Sequence, residues 1–235
     1  MGHTRCLFGI YNRSTKDRSY TTYGINISSN YKTLLHTLIF QKQGIREDKD
    51  IDIPFPNKKY NIIYADPPWS FGSKSYQDGN RQMIDIQKKH YSTMTEAEIC
   101  SLPVKDITND DCILFMWVTD SHLKEGLKVI DSWGFNYKTI GFTWVKHYES
   151  GSTCYNFSPY LLKSTEICLI GMKGKLANIK ERNDIKGLVA DIRTKHSKKP
   201  EEVRKRIEQM CKDLPRIELF ARQKTEGWDV WGNEV

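Results

Sequence analysis

From residue 51 onward the chain alternates two hydrophobic rhythms. A continuous apolar run at 112–118 predicts a strand buried on both faces, and the largely apolar segments at 60–65, 137–145, 165–174 and 216–221, with shorter ones at 188–193 and 228–232, predict further strands. Segments at 95–102, 120–134 and 200–213 predict helices. In the first, Thr95 and Glu98 have the spacing of a capping box. In the second, Leu123, Leu127, Ile130 and Trp133 recur at three and four residues, and Gly134 is placed to end the helix. In the third, Pro200 stands at the first turn. Residues 148–160 read as a loop. Strands separated by helices imply right-handed βαβ units and an α/β fold with a mostly parallel sheet.

Residues 1–50 differ from this pattern. They are polar, with one apolar patch at 33–40, and read as an N-terminal extension whose order the pattern leaves open. One domain follows over 51–235, entered through an irregular lead-in at 53–59 whose prolines block ladder donors. A hydrophobic fraction of 38% and a charged fraction of 28% are those of a globular chain and argue against a wholly disordered one. No apolar stretch is long enough to span a bilayer, and the N-terminus lacks the apolar core of a secretory signal. A cytoplasmic location with no membrane partner is expected. The six cysteines are scattered without a C-x-x-C pair, and the histidines lack metal spacing, so reduced thiols and no metal site are expected. A net charge of +7 and a pI near 9.0 suit a polyanionic partner. The basic residues gather at 193–206 and between Lys74 and Lys89, although solvated surface accounts for such runs equally well.

The candidate chemistry lies where the run at 60–65 stops, at Asp66-Pro67-Pro68-Trp69. Open α/β sheets bind ligands beyond the carboxyl ends of their strands, and Asp66 lies at such an end. The prolines constrain the backbone, so that the Pro67 carbonyl can point outward as an acceptor. Asp66 adds a second acceptor, and Trp69 offers a face for stacking a heteroaromatic ring. Two acceptors beside a flat site match an amine with two hydrogens, such as the exocyclic amine of a base. That nitrogen is a poor nucleophile because its lone pair is delocalised into the ring. Holding both hydrogens favours the pyramidal nitrogen needed to attack a sulfonium methyl group, by positioning and electrostatics. For Asp-Pro-Pro alone, a plain structural turn competes with this reading.

The motifs also resemble a known family. ADPPW at 65–69 is similar to the DPPW motif of the MT-A type adenine-N6 methyltransferases, which act on RNA or DNA. HYSTMTEAEICSLPV (90–104), LFMWVTDSHLKEGLKVIDSWGF (114–135), TWVKH (143–147), EICLIGMKG (166–174), HSKKPEE (196–202) and IELFARQKTEGWDVWGNE (217–234) follow in the family's order. The resemblance covers about residues 51–235 and implies a Rossmann-like methyltransferase sheet, circularly permuted so that the DPPW strand precedes the cofactor strand. This explains the missing glycine-rich dinucleotide fingerprint. It implies S-adenosylmethionine as cofactor. It places Asp66 beside both the target amine and the cofactor's methionine end, with Pro67, Pro68 and Trp69 shaping the adenine pocket. It sets Lys199 against the cofactor carboxylate, Arg222 at its ribose, and Asn233 and Glu234 at its adenosine part. Asp52 and Ile53 are the nearest match to the family's adenine-binding pair, at a shorter spacing than usual. Lys224 stands where the messenger-RNA enzyme has histidine.

A DNA substrate is expected, because the chain is compact and lacks zinc modules and RNA-reading elements. The target adenine would be flipped from the duplex, with base selection by the loops at 72–90 and 148–160 or by a second subunit. Residues 72–90 show no convincing period and read as a long active-site loop; with 193–199 they are expected to order on binding. Trp117, Trp144 and Trp231 are expected in the core, and His196 at the surface or against a phosphate rather than as a general base. An RNA adenosine methyltransferase and a non-catalytic nucleic-acid-binding partner subunit are the alternatives. A homodimer or a heteromeric partner is compatible with either.

Overall fold

The computed structural model describes residues 53–70, 72–77, 80–85, 93–158, 160–193 and 198–235, with backbone alone for 72–77 and 80–85. The N-terminal extension with its 33–40 patch, Asp52 and His196 lie outside the described residues.

The apolar runs form β1 (Tyr60–Ala65), β4 (Thr108–Val118), β5 (Asn136–His147), β6 (Thr165–Lys173), β7 (Leu188–Ile192), β8 (Arg216–Leu219) and β9 (Asp229–Trp231). They make one sheet in the order β7-β5-β6-β4-β1-β8-β9. The pairs β1–β4, β1–β8, β8–β9 and β5–β7 are parallel, while β6 runs antiparallel to both β4 and β5. Every strand except β6 therefore points the same way. One edge of the sheet collects the carboxyl ends of those strands together with the start of β6. The expected mostly parallel sheet is present, and the strand ending at Asp66 lies directly beside the one carrying Ile217-Glu218-Leu219.

Side chains alternate between two cores. Ile63, Ala65, Leu114, Met116, Leu169 and Ile217 face α1 (Glu96–Ser101) and α2 (Leu123–Ser132). Tyr64, Phe115, Trp117, Trp144 and Cys168 face α3 (Glu201–Met210) through Val203 and Ile207. Thr95 caps α1 as expected, with the Glu98 N–H donating to its hydroxyl at 3.3 Å and the Thr95 N–H donating to the Glu98 carboxylate at 2.6 Å. Pro200 is the residue preceding α3 rather than part of its first turn.

Two expectations are corrected. The buried face of α2 is Gly126, Val129 and Ile130, followed by Trp133, whereas Leu123 and Leu127 are exposed. The cause is Gly126, whose missing Cβ lets the helix close on β4; a Cβ there would stand 2.5 Å from a Val118 methyl carbon. Gly126→Val is expected to cost about 1–3 kcal/mol by overpacking, read as a lower denaturant midpoint at unchanged slope. The second correction concerns 72–77 and 80–85; the rest of the 72–90 segment lies outside the described residues. Instead of an aperiodic loop, β2 (Gly72–Gln77) and β3 (Asn80–Asp85) pair antiparallel. The strands flank Asp78-Gly79, a dipeptide that favours two-residue hairpin turns because glycine accepts positive φ.

Candidate active site

The sheet edge concentrates charge that the rest of the core lacks. Asp66 follows β1 in phase with buried Tyr64, so its side chain continues the α3 face. Glu166, near the start of β6, is in phase with Cys168, and Lys146, near the end of β5, is in phase with Phe142 and Trp144. Lys199, just before α3, lies across them. Its Nζ is 2.7 Å from Asp66 Oδ2 and 3.3 Å from Glu166 Oε2, and 5.7 Å from the ring centre of Trp117 on the intervening β4. Lys146 pairs with the other Glu166 oxygen. The row Lys146–Glu166–Lys199–Asp66 thus alternates in sign across four neighbouring strands, β5, β6, β4 and β1. The side chains of Lys199 and Asp66 are only 10% and 20% exposed.

Burial works against the charged form of all three groups, and the neighbouring charges decide the outcome for two of them. It pushes the Asp66 carboxyl above its ordinary value, against the pull of Lys199 and Arg222, because Asp66 shares its ammonium with a second carboxylate. Burial also presses on Glu166, but Lys199 and Lys146 outweigh it and hold that carboxyl below its usual range. Lys199 loses charge stability to burial and more than regains it from Asp66 and Glu166, so it stays an ammonium.

The turn after Asp66 departs from the expectation. The Pro67 carbonyl does not simply face outward: it accepts the Trp69 N–H at 2.9 Å in a three-residue turn. The Pro68 carbonyl accepts the Met94 N–H at 2.8 Å. Nor does Trp69 stand open for stacking. Its ring is 5% exposed, its Nε1–H donates to the Trp117 carbonyl at 3.1 Å, and it stacks on His122 with centroids 5.5 Å apart. His122 Nε2 faces the Ser70 carbonyl at 3.2 Å, so that nitrogen carries the proton, and Nδ1 accepts from the Thr119 hydroxyl at 2.8 Å. An aromatic ring with one polar atom is well suited to this wedge between β4 and the turn. Trp69 therefore fixes the backbone that carries Asp66.

The second group of candidates gathers beyond β8 and β9. Phe220 has φ of 61°, and the Ala221 N–H donates to the Trp231 carbonyl at 3.0 Å, which turns the chain into Arg222. Gly232 is pressed against this turn, where a Cβ would stand 2.3 Å from the Ala221 carbonyl oxygen. Arg222 Nε is 3.7 Å from Glu234 Oε1, and Asn233 and Lys224 are exposed nearby in sequence. Ile53 packs on the first core, and its carbonyl accepts the Trp231 Nε1–H at 3.3 Å, so the lead-in reaches this end of β9. Trp117, Trp144 and Trp231 are core residues as expected.

Sequence reading missed Glu166 and Lys146. Their signal was a charge in phase with buried positions: Phe142, Trp144, Lys146 on one strand and Glu166, Cys168 on the next. At the same edge, Asn156 and Lys163 exchange two backbone hydrogen bonds and pinch off a loop whose Phe157 and Tyr160 are 97% and 94% exposed. Among the described residues no cluster could hold a metal ion, the cysteines are free, and no helix is long and apolar enough to cross a membrane.

The donor set fits an aminoacyl-sulfonium nucleoside. An ammonium (Lys199) suits a carboxylate, and carboxylates (Asp66, Glu234) suit a cationic centre and ribose hydroxyls. Arg222 adds directional donors. The MT-A70 family model matches residues 60–234. The chain is 39% identical over 191 residues to the Type II methyltransferase M.MunI of a Mycoplasma species, covering 77% of this chain and 79% of that one. It is 30% identical over 186 residues to the N(6)-adenosine-methyltransferase MT-A70-like protein of Drosophila melanogaster, and 28% to the human N(6)-adenosine-methyltransferase catalytic subunit METTL3. Each of these two alignments covers 75% of this chain but only 27% and 28% of the longer proteins.

Proposed function

The chain belongs to the MT-A70 family, and on that premise we propose that it moves a methyl group from S-adenosylmethionine to the N6 amine of adenine in DNA. The observation that carries this reading is Asp66, a partly buried carboxylate ion-paired to Lys199 at the carboxyl edge of the sheet. DNA is favoured because the likeness extends over 79% of a type II methyltransferase but only about a quarter of the N(6)-adenosine enzymes.

Lys199 would hold the cofactor carboxylate, and Arg222, Asn233 and Glu234 its ribose and adenosine part. When bound, S-adenosylmethionine supplies an electrophilic methyl carbon. Asp66 accepts one hydrogen of the N6 amine and so fixes the orientation of the nitrogen lone pair. The Pro67 oxygen keeps a second lone pair beyond its bond to Trp69, and this takes the other hydrogen. The methylated ammonium is strongly acidic, so its proton passes to solvent without a strong base. Trp69 and His122 hold the turn rigid and exclude water from behind Asp66. A duplex adenine must leave the stack to reach this edge, and exposed Phe157 and Tyr160 offer rings to the disturbed bases. The basic charge supplies phosphate attraction that weakens with salt. The reaction fits the cytoplasm, where nucleic acid and cofactor meet.

The test is transfer from methyl-labelled S-adenosylmethionine to a DNA duplex and to RNA of matching sequence, with the product digested to nucleosides. N6-methyldeoxyadenosine from DNA is expected. Label in RNA alone would favour the adenosine enzyme, and failure to bind the cofactor would favour a non-catalytic subunit. Because Asp66 works as the carboxylate and burial raises its pKa, activity is expected to fall with acid at a pH above 3.8, the ordinary aspartate value.

A further inference from the structure

We propose that Glu166 and Lys146 are positioning residues for the methyl transfer. Through Lys199 they set how much of the Asp66 carboxylate is available to the incoming amine. The inference rests on the proposed role of Asp66.

The geometry creates a conflict that this pair resolves. Lys199 sits 2.7 Å from Asp66 Oδ2, within hydrogen-bond distance, where an amine hydrogen would also need an acceptor. Until the cofactor carboxylate draws on it, an ammonium with no other partner in the protein would hold that oxygen against the substrate. Glu166 stands 3.3 Å away on the other side of Lys199 and gives it somewhere to go. Lys146 pairs with Glu166 and limits how strongly Glu166 draws Lys199 away. A row of four charges buried among Trp117, Trp144 and Cys168 is costly, and an apolar set of the same volume would hold the fold as well. Its retention at the reacting edge fits a division of one ammonium between two carboxylates.

Every charged group facing Asp66 among the described residues enters the comparison. Lys199 comes from the lead into α3, Glu166 from β6, Arg222 from beyond β8 and Glu218 from β8, with the buried Tyr64 hydroxyl and Cys168 thiol behind. Glu166 itself faces Lys199 and Lys146. Glu218 is paired with Arg204 at 2.7 Å and lies outside the row.

The two members have opposite effects on Asp66. Glu166→Gln removes a like charge and leaves Lys199 to Asp66 alone. The acid limb of the pH–rate profile is expected to move down by about one unit, while kcat falls roughly ten- to a hundredfold because the acceptor is occupied. Lys146→Met leaves Glu166 to draw Lys199 to itself, and the acid limb is expected to move up by a similar amount. Lys146→Arg keeps the charge and should restore the wild-type profile. A role confined to folding would lower activity and melting temperature without splitting the two limbs. Limbs that move together, or stay put, overturn the proposal. The same displacements are read without turnover in the 13C titration of the Asp66 carboxyl group. A wild type inactive on nucleic acid would therefore sink the functional reading, while the titration still decides the ladder. If Glu166→Gln fails to fold, the contrast between Lys146→Met and Lys146→Arg decides alone.

Discussion

Asp66→Ala is expected to lower methyl transfer to adenine by roughly 10²–10³-fold, the usual cost of removing a preorganised group that meets charge in the transition state. The loss should fall on kcat, because phosphate contacts and most cofactor contacts lie on other residues. Lys199 would not be stranded by this change, since Glu166 remains 3.3 Å away. The variant should therefore stay folded, and a thermal melt alongside the kinetics separates lost chemistry from lost structure. Asp66→Asn is the sharper companion. It keeps the size and one acceptor oxygen but discards the charge, so its activity should lie between that of the wild type and that of the alanine variant. Activity at the wild-type level in either variant would remove Asp66 from the mechanism.

Trp69→Ala is expected to have the largest effect on stability, about 3–5 kcal/mol, as for other buried tryptophans and phenylalanines cut to alanine. The ring is buried, stacked on His122 and hydrogen-bonded to the Trp117 carbonyl. Its removal opens a cavity and leaves that carbonyl unpaired. Trp69→Phe keeps most of the packing and loses only the N–H, so its cost should be nearer 1–3 kcal/mol. Urea denaturation of the two variants measures both. If Trp69 served mainly as a stacking platform for the base, the alanine variant would keep its stability and lose substrate affinity. The structure favours the opposite result.

Much of the fold was legible because its central strands carry apolar runs, most clearly at 60–65 and 112–118. Residues 112–118 admit little besides a buried strand, and the carboxylate after 60–65 marks a strand end. The candidate site was legible at Asp66, since a polar group at a strand's carboxyl end has a known place in an open sheet. What was not legible depended on register. Glu166 and Lys146 are 20 residues apart in the chain, and their pairing follows only from β5 and β6 lying side by side with Trp144 opposite Glu166. The burial of Trp69 was not legible because an aromatic after a turn reads equally well as a platform or a wedge; the Trp117 carbonyl it donates to lies 48 residues away. The face of α2 was misassigned because periodicity weights leucine over glycine, whereas packing against Val118 requires Gly126. The pairing of 72–77 with 80–85 was different: the intervening Asp78-Gly79 carried a turn signal in plain sequence.

The most direct test of the central claim is a crystal structure of the protein with a non-transferable S-adenosylmethionine analogue and a DNA containing the target adenine. The account expects the adenine N6 within about 3 Å of an Asp66 carboxylate oxygen, with the analogue's sulfonium side facing it and Lys199 withdrawn toward Glu166 or the cofactor carboxylate. An adenine held elsewhere, with Asp66 still closed on Lys199, would contradict it.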